Sequence, residues 1–299
     1  MAEREDATER TAAEPTIRAG VRLGLITPVA TQLPGGRAGW EAEAGIDEMV
    51  QVAVAADRLG IDHLTCSEHV AVPTADASVR GATYWDPLAT FGHLAAHTSR
   101  VRLATYVLVL GYHHPLEIAK RYGTLDRIAG GRLVLGLGVG TLEAEFTLLD
   151  APFADRGARA DDALRALRAS MGQRDVEYHG AHYDYADLVV EPHATNPHVP
   201  FWIGGRSRRS LRRALDLADG WAPFWLKVDE VAAWLAEVDV PAGFEVVGQP
   251  PGVIDPIGKP GAVDDLLGRW ADAGATVVDA HVVHHSLAHY LEQLEALTG

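Results

Sequence analysis

The sequence predicts an α/β fold, a single (β/α)8 TIM barrel with an insertion between strands 4 and 5. Three observations carry that prediction. Short apolar runs alternate with helical segments along nearly the whole chain, the pattern of a parallel sheet. In the fourth run Leu133, Val134 and Leu135 are successive rather than alternate, as a strand buried on both faces requires. Eight such runs can be placed within 299 residues, and a barrel of this type commonly uses about 250.

The elements follow in order. Residues 21–27 (VRLGLIT) are the first strand, and helix 46–59, apolar at 46, 49, 50, 53 and 54, ends at Gly60. The second strand, 61–67, leads to Glu68-His69, a long loop to Tyr84, and a helix over 87–97. The third is 101–110 (VRLATYVLVL), after which Pro115 opens helix 116–128 at a position that tolerates proline. The fourth lies in 130–146 (GGRLVLGLGVGTLEAEF), where Leu133, Val134 and Leu135 precede Gly136, Gly138 and Gly140, and a helix starts over 142–148. The insertion holds an Ala- and Arg-rich helix over 153–173 and a hairpin over 176–185. Strands five to eight are 199–205, 220–225, 244–247 and 275–283, with helices at 207–219, 230–238, 262–273 and 285–297. Residues 1–20 are charged, lack the apolar segment of a secretory signal, and read as a disordered tail before one barrel domain over 21–299.

Composition narrows the function. Lys and Arg number 26 against 41 Asp and Glu, a formal charge of −15, which argues against a nucleic-acid partner. No apolar run approaches the ~20 residues that cross a bilayer, so no membrane partner is expected. Cys66 is the sole cysteine, which excludes an intrachain disulfide and suits a reducing cytoplasm.

Barrel chemistry sits at the C-terminal ends of the strands. That rule selects Thr27, Glu68-His69, 106–110, 138–141, 204–207, 221–225 and His284-His285. The set is rich in glycines and aromatics and has no serine nucleophile, a profile that suits a cofactor enzyme. Glycines at 136, 138 and 140 remove a row of side chains, so that another backbone or a flat ligand can approach. They miss the dinucleotide pattern G-x-G-x-x-G, because Thr141 stands where the third glycine belongs. Gly204-Gly205-Arg206-Ser207 joins a strand to a helix start, where backbone amides can seat a phosphate. Arg206 and Ser207 are expected to touch that ligand, and Arg209, Arg212 and Arg213 to solvate the outer face. The His285/His289 pair has the spacing of two metal ligands on a helix. The first strand lacks the His-x-His of metallohydrolase barrels, so no metal is expected, and His113-His114 reads as structural. Trp40, Trp85, Trp221, Trp225 and Tyr84 suggest an aromatic substrate pocket.

The segments RLVLGLGVGTLEAEF, HHPLEIAKRYGTLDRIAGGR, FADRGARADDALRALR and VPFWIGGRSRRSLRRALDLADGWAP together resemble the luciferase-like monooxygenase superfamily, from Val21 to the C-terminus. The resemblance implies a (β/α)8 barrel that uses FMN or the deazaflavin F420. SEHVAVPT, at the end of strand two, resembles the F420-dependent branch. It further implies that His69 faces the cofactor ring and substrate as the catalytic side chain, with Glu68 before it in a supporting role. Tyr106-Val107 matches a bulge, often a non-proline cis peptide, behind the ring. Gly138, Val139, Gly140 and Thr141 match a glycine-lined wall, and Gly204, Gly205, Arg206 and Ser207 the phosphate loop. F420 members often have Asp where this chain has Glu68, as several FMN members do, and some F420 dehydrogenases carry a glutamate near Thr141. The expected protein is a cytoplasmic oxidoreductase or monooxygenase that transfers hydride or activates oxygen through F420, with FMN as the alternative. Its partners would be a small-molecule substrate and, at most, a second copy in a homodimer. Two further readings are a flavin-binding barrel without turnover and a metallohydrolase. Gly205→Val is expected to weaken cofactor binding more than folding.

Overall fold

The computed structural model describes residues 15–32, 34 and 38–299. Eight parallel strands form its frame: β1 (Val21–Leu25), β2 (His63–Cys66), β3 (Arg102–Thr105), β4 (Leu133–Gly138), β5 (Phe201–Gly204), β6 (Gly220–Ala222), β7 (Glu245–Gly248) and β8 (Val277–Ala280). Each pairs with the next, and β8 returns to β1 through Val277↔Arg22 to Ala280↔Leu25, which closes the barrel. The surrounding helices are α1 (Ile46–Arg58), α2 (Pro87–Ala95), α3 (Pro115–Ala129), α4 (Arg156–Ser170), α5 (Arg208–Leu217), α6 (Val228–Leu235), α7 (Pro260–Asp272) and α8 (Leu287–Thr298). Pro115 stands in the first turn of α3, and Gly130 ends that helix in the left-handed region at φ 68°. Among the described residues no helix is long and apolar enough to cross a membrane.

The insertion lies between β4 and β5, as the sequence predicts. It comprises a short helix (Glu143–Leu148), α4, and a hairpin of strands Asp175–His179 and Asp184–Val189. Asp162 on α4 holds the hairpin by accepting from the Tyr178 hydroxyl at 2.6 Å and the His182 amide at 2.6 Å.

Two boundaries differ from expectation. The tail predicted over 1–20 lies outside the described residues up to 14, but Ile17–Arg18 form a strand antiparallel to β1. Arg18 anchors it, donating to Asp264 on α7 at 2.6 Å and to the carbonyls of Ala296 and Leu297 at the end of α8. The single apolar run 101–110 is broken in two, because Leu108–Val109 pair with Leu137 and Gly138 separately from β3. Tyr106-Val107 lies at the break, and its peptide bond is cis.

The barrel lumen is also less apolar than doubly buried strands suggest. Arg22, Asp62, His63, Arg102, Glu245 and Asp279 form an ionic cluster inside it. His63 bridges Asp62 at 2.8 Å and Asp279 at 2.7 Å, and Arg102 reaches Asp62 at 2.5 Å and Glu245 at 3.1 Å. Arg22 joins Asp62 at 2.7 Å and also pairs with Glu245. A Cβ on Gly24 would collide with the His63 ring and the Asp279 carboxylate, so β1 needs glycine where this pair crosses. Burial alone would lower the His63 pKa, but the adjacent Asp279 and Asp62 carboxylates outweigh it and raise it to about 9.

Candidate active site

At the C-terminal mouth of the barrel, the loop after β2 meets the bulge after β3 and the helix after β4. Ser67 donates its hydroxyl to the Tyr106 carbonyl at 2.8 Å. Glu68 turns toward the chain beyond the bulge, where it accepts from the Val109 amide at 2.7 Å and pairs with His113 Nε2 at 2.7 Å. Its buried carboxylate therefore braces the bulge and does not join His69. His113 resists burial, which would lower its pKa, because the Glu68 contact raises it. His114 caps α3 by accepting from the Leu116 amide, so each histidine of this pair has a structural partner.

His69 finds a different acid. Its Nδ1 lies 2.6 Å from Glu145 Oε2, and its ring stands edge-on to Tyr84 with centroids 4.5 Å apart. Glu145, on the short helix Glu143–Leu148, also accepts from the amides of Val70 at 2.8 Å and Ala71 at 3.1 Å, and from the Tyr112 hydroxyl at 2.9 Å. The His69 side chain keeps 20% of its surface exposed and the Glu145 side chain 1%. The sequence gives Glu68 only a supporting role in the loop beside His69, directed elsewhere by strand alternation, and does not single out Glu145. The available signal was an acid on the helix that follows the glycine-rich strand end, facing the same mouth.

The alternating glycines accommodate protein rather than open space. A Cβ on Gly136 would collide with the Thr105 carbonyl, one on Gly138 would lie 2.5 Å from Val107 Cγ2, and one on Gly204 would lie 2.5 Å from Val107 Cγ1. At Gly140 (φ 76°) the Cβ would lie 2.6 Å from the Phe146 ring. Glycines 138 and 204 thus cradle the Val107 side chain from β4 and β5. Val107 and Val139 are half-buried at this mouth, and Thr141 is exposed.

The predicted phosphate loop is a capped helix start. Ser207 accepts from the Ser210 amide at 3.1 Å, and Ser210 Oγ accepts from the Ser207 amide at 3.2 Å. Residues 206–209 are exposed, and the Arg206 guanidinium lies over the Trp225 ring at 5.2 Å. A Cβ on Gly205 would fall 2.6 Å from Ser210 Cβ, so Gly205→Val disturbs this cap directly and does not separate binding from folding as expected. Arg213 is not on the outer face. Its side chain, 7% exposed, pairs with Asp161 and donates to the Gly157 carbonyl at 3.2 Å.

Of the aromatics, Tyr84 reaches His69 and Trp225 is exposed at the rim, whereas Trp221 is 0% exposed and stacked on Trp234 in the core. Trp40 donates its indole N–H to His284 Nδ1 at 2.9 Å. That bond needs the neutral imidazole. Burial, reinforced by His281, His289 and His285, lowers the His284 pKa against the opposing pull of Glu41. The contact is therefore present at neutral pH and lost as pH falls through that lowered value. Acidification should shift the Trp40 contribution to tryptophan emission, and His284→Gln should remove the shift; an identical shift in that variant would assign it elsewhere. The His285 and His289 rings pack at 4.1 Å, and no group of three or more His, Cys, Asp or Glu among the described residues is arranged to hold a metal ion.

Residues 21–258 match the family model for luciferase-like monooxygenases. The uncharacterized protein Rv0953c of Mycobacterium tuberculosis (strain H37Rv) is 31% identical over 244 residues, 78% of this chain and 85% of that protein. An F420-dependent secondary alcohol dehydrogenase, solved with an F420-acetone adduct, superposes with a TM-score of 0.70 at 13% identity, covering 93% of this chain and 99% of that one. The oxygenating constituent of 3,6-diketocamphane monooxygenase from Pseudomonas putida, solved with FMN, does so with a TM-score of 0.62 at 16% identity, covering 93% and 97%. With the family model spanning most of the barrel, the chain belongs to the luciferase-like monooxygenase family.

Proposed function

We propose that this family member is an oxidoreductase that binds the deazaflavin F420 at the barrel mouth and moves hydride to or from a small organic substrate, with His69 handling the proton. The observation that carries the reading is the juxtaposition, at one mouth, of a half-buried histidine anchored by a buried acid and a Val107 shelf cradled by two glycines. What supports the reading is that glycines at 138 and 204 keep the side chains of β4 and β5 out of the space that Val107 fills, which leaves Val107 as the side chain a flat ring would rest on. Val107 would support the ring, the exposed run 206–209 at the start of α5 would take the phosphate, and Tyr84 would flank the substrate beside His69. F420, when bound, supplies two-electron hydride chemistry. His69 needs only to give or take a proton at its outer nitrogen as charge develops on the substrate.

FMN is the second reading, favoured by the FMN-bound neighbour and by glutamate at position 68. The second of these says little about the ligand, because the Glu68 carboxylate is directed at Val109 and His113. Titrating the protein with F420 and with FMN, followed by fluorescence, tests the choice. Saturable binding of F420 alone supports the reading, FMN alone replaces it with the alternative, and neither sinks both.

Gly204→Ala sharpens the test of the shelf. The added methyl displaces Val107, and cofactor affinity should fall at least roughly tenfold while the far-ultraviolet spectrum is kept, the scale of a lost close contact. Unchanged affinity would remove Val107 from the seat.

A further inference from the structure

The Glu145 carboxylate is used to capacity. Oε1 accepts the amides of Val70 at 2.8 Å and Ala71 at 3.1 Å, and Oε2 faces the Tyr112 hydroxyl at 2.9 Å and His69 Nδ1 at 2.6 Å. A carboxylate that already accepts from three donors is held as an anion, and an anion can only accept. Burial works against the charge, but the His69 contact, the Ala71 amide and Tyr112 prevail, so its pKa lies below the ordinary glutamate value. The proton between Glu145 and His69 therefore belongs to Nδ1. In the neutral ring the lone pair then lies on Nε2, which has no hydrogen-bond partner among the described residues. Tyr84, edge-on at 4.5 Å, restrains the ring's plane.

We propose that Glu145 is a positioning residue that fixes His69 as the Nδ1–H tautomer and presents Nε2 as an acceptor, so the site takes a substrate group that brings an O–H or N–H to it. The proposal rests on the reading of His69 as the residue at the reacting centre. Its consequence for chemistry is directional. A substrate hydroxyl can donate to Nε2 and pass its proton there, whereas a bare carbonyl finds no donor on the neutral ring and requires His69 to be protonated first. Glu145 plays for His69 the part that an orienting acid plays for any general base whose two nitrogens must be told apart.

Nitrogen-15 spectra of histidine side chains, recorded on the cofactor-free protein at about pH 8.5, where an ordinary imidazole is neutral, test this directly. His69→Ala assigns the His69 signals by their loss. The wild type should show the Nδ1–H tautomer. In Glu145→Gln the amide oxygen can keep the Val70 and Ala71 N–H groups while its NH2 donates to Nδ1, so the ring should move to the Nε2–H tautomer, a change of roughly tenfold or more in the tautomer ratio. Tyr112→Phe removes a donor from the same oxygen without supplying one to the ring and should leave the Nδ1–H tautomer in place. That variant and the wild type decide the matter if Glu145→Gln fails to fold. A wild-type ring that is Nε2–H or doubly protonated at that pH overturns the proposal, as does a folded Glu145→Gln protein with an unchanged tautomer. The assay involves no turnover, so a correct tautomer together with an inert His69→Ala substitution would strike at the proposed function alone.

Discussion

His69→Ala is expected to lower turnover by about 10²–10⁴-fold, the range for a lost general acid or base, while cofactor affinity changes far less. The fold should survive the substitution. Glu145 would keep the Val70 and Ala71 amides and the Tyr112 hydroxyl after losing the ring, so its buried charge would not be abandoned. Tyr84 would lose its edge-on neighbour but keep the bond from its hydroxyl to the Arg80 carbonyl at 2.7 Å. Steady-state turnover with F420 and any alcohol or carbonyl compound that the wild type converts gives the measurement. A variant that works at near wild-type rate would leave this mouth without an acid–base residue on the β2 loop. A loss confined to cofactor affinity would make His69 a binding group instead.

The second large effect is expected inside the barrel, at His63. Its ring is fully buried between Asp62 and Asp279, and Asp279 has no cation other than this ring paired with it among the described residues. His63→Leu fills the space but strands a buried charge, which should cost about 3–5 kcal/mol of stability at neutral pH. The wild type should show the same dependence through pH. The folded pKa of about 9 lies above the ordinary value of 6.5. The stabilisation is thus complete below the unfolded value and is lost as pH rises through the folded one. A shift of this size corresponds to roughly 3 kcal/mol. Urea unfolding at about pH 7 and about pH 10 would measure it. The wild type should weaken across that interval, and His63→Leu, already lacking the ion pair, should not share this loss. A wild type equally stable at both pH values would show that His63 is neutral in the folded protein.

Much of the architecture was legible because a parallel barrel strand leaves a strong local mark. Buried on two faces, it must be a short unbroken apolar run, and its helix must follow with a different period. Pro115 and Gly130 then frame α3 by rules that act within a turn or two. The divergence of Glu68 and His69 was legible too, since successive residues near a strand end face opposite ways. The cis Tyr106-Val107 bond came from family resemblance, because nothing in an apolar run 101–110 tells which peptide will break the strand. The glycines show where that limit lies. Their spacing in the sequence announces a missing row of side chains, but not that Thr105, Val107 and Phe146 would occupy the room.

From its sequence alone, the chain determined its order of strands and helices and, through the polarity of a barrel, the mouth where His69 stands. These follow from periodicity, turn residues and the polarity of a barrel, all local or topological properties. Only the tertiary structure decided which acid His69 would meet. Glu145 lies 76 positions away, and the pairing depends on how the β2 loop and the helix after β4 are brought together when the barrel closes. The same holds for the lumen, where Arg22 and Glu245 come from strands 223 positions apart. Charges that read as interruptions of an apolar pattern are compatible with burial only because closure places them opposite one another, and apart from the neighbours Asp62 and His63 no short stretch of sequence contains both halves of such a pair.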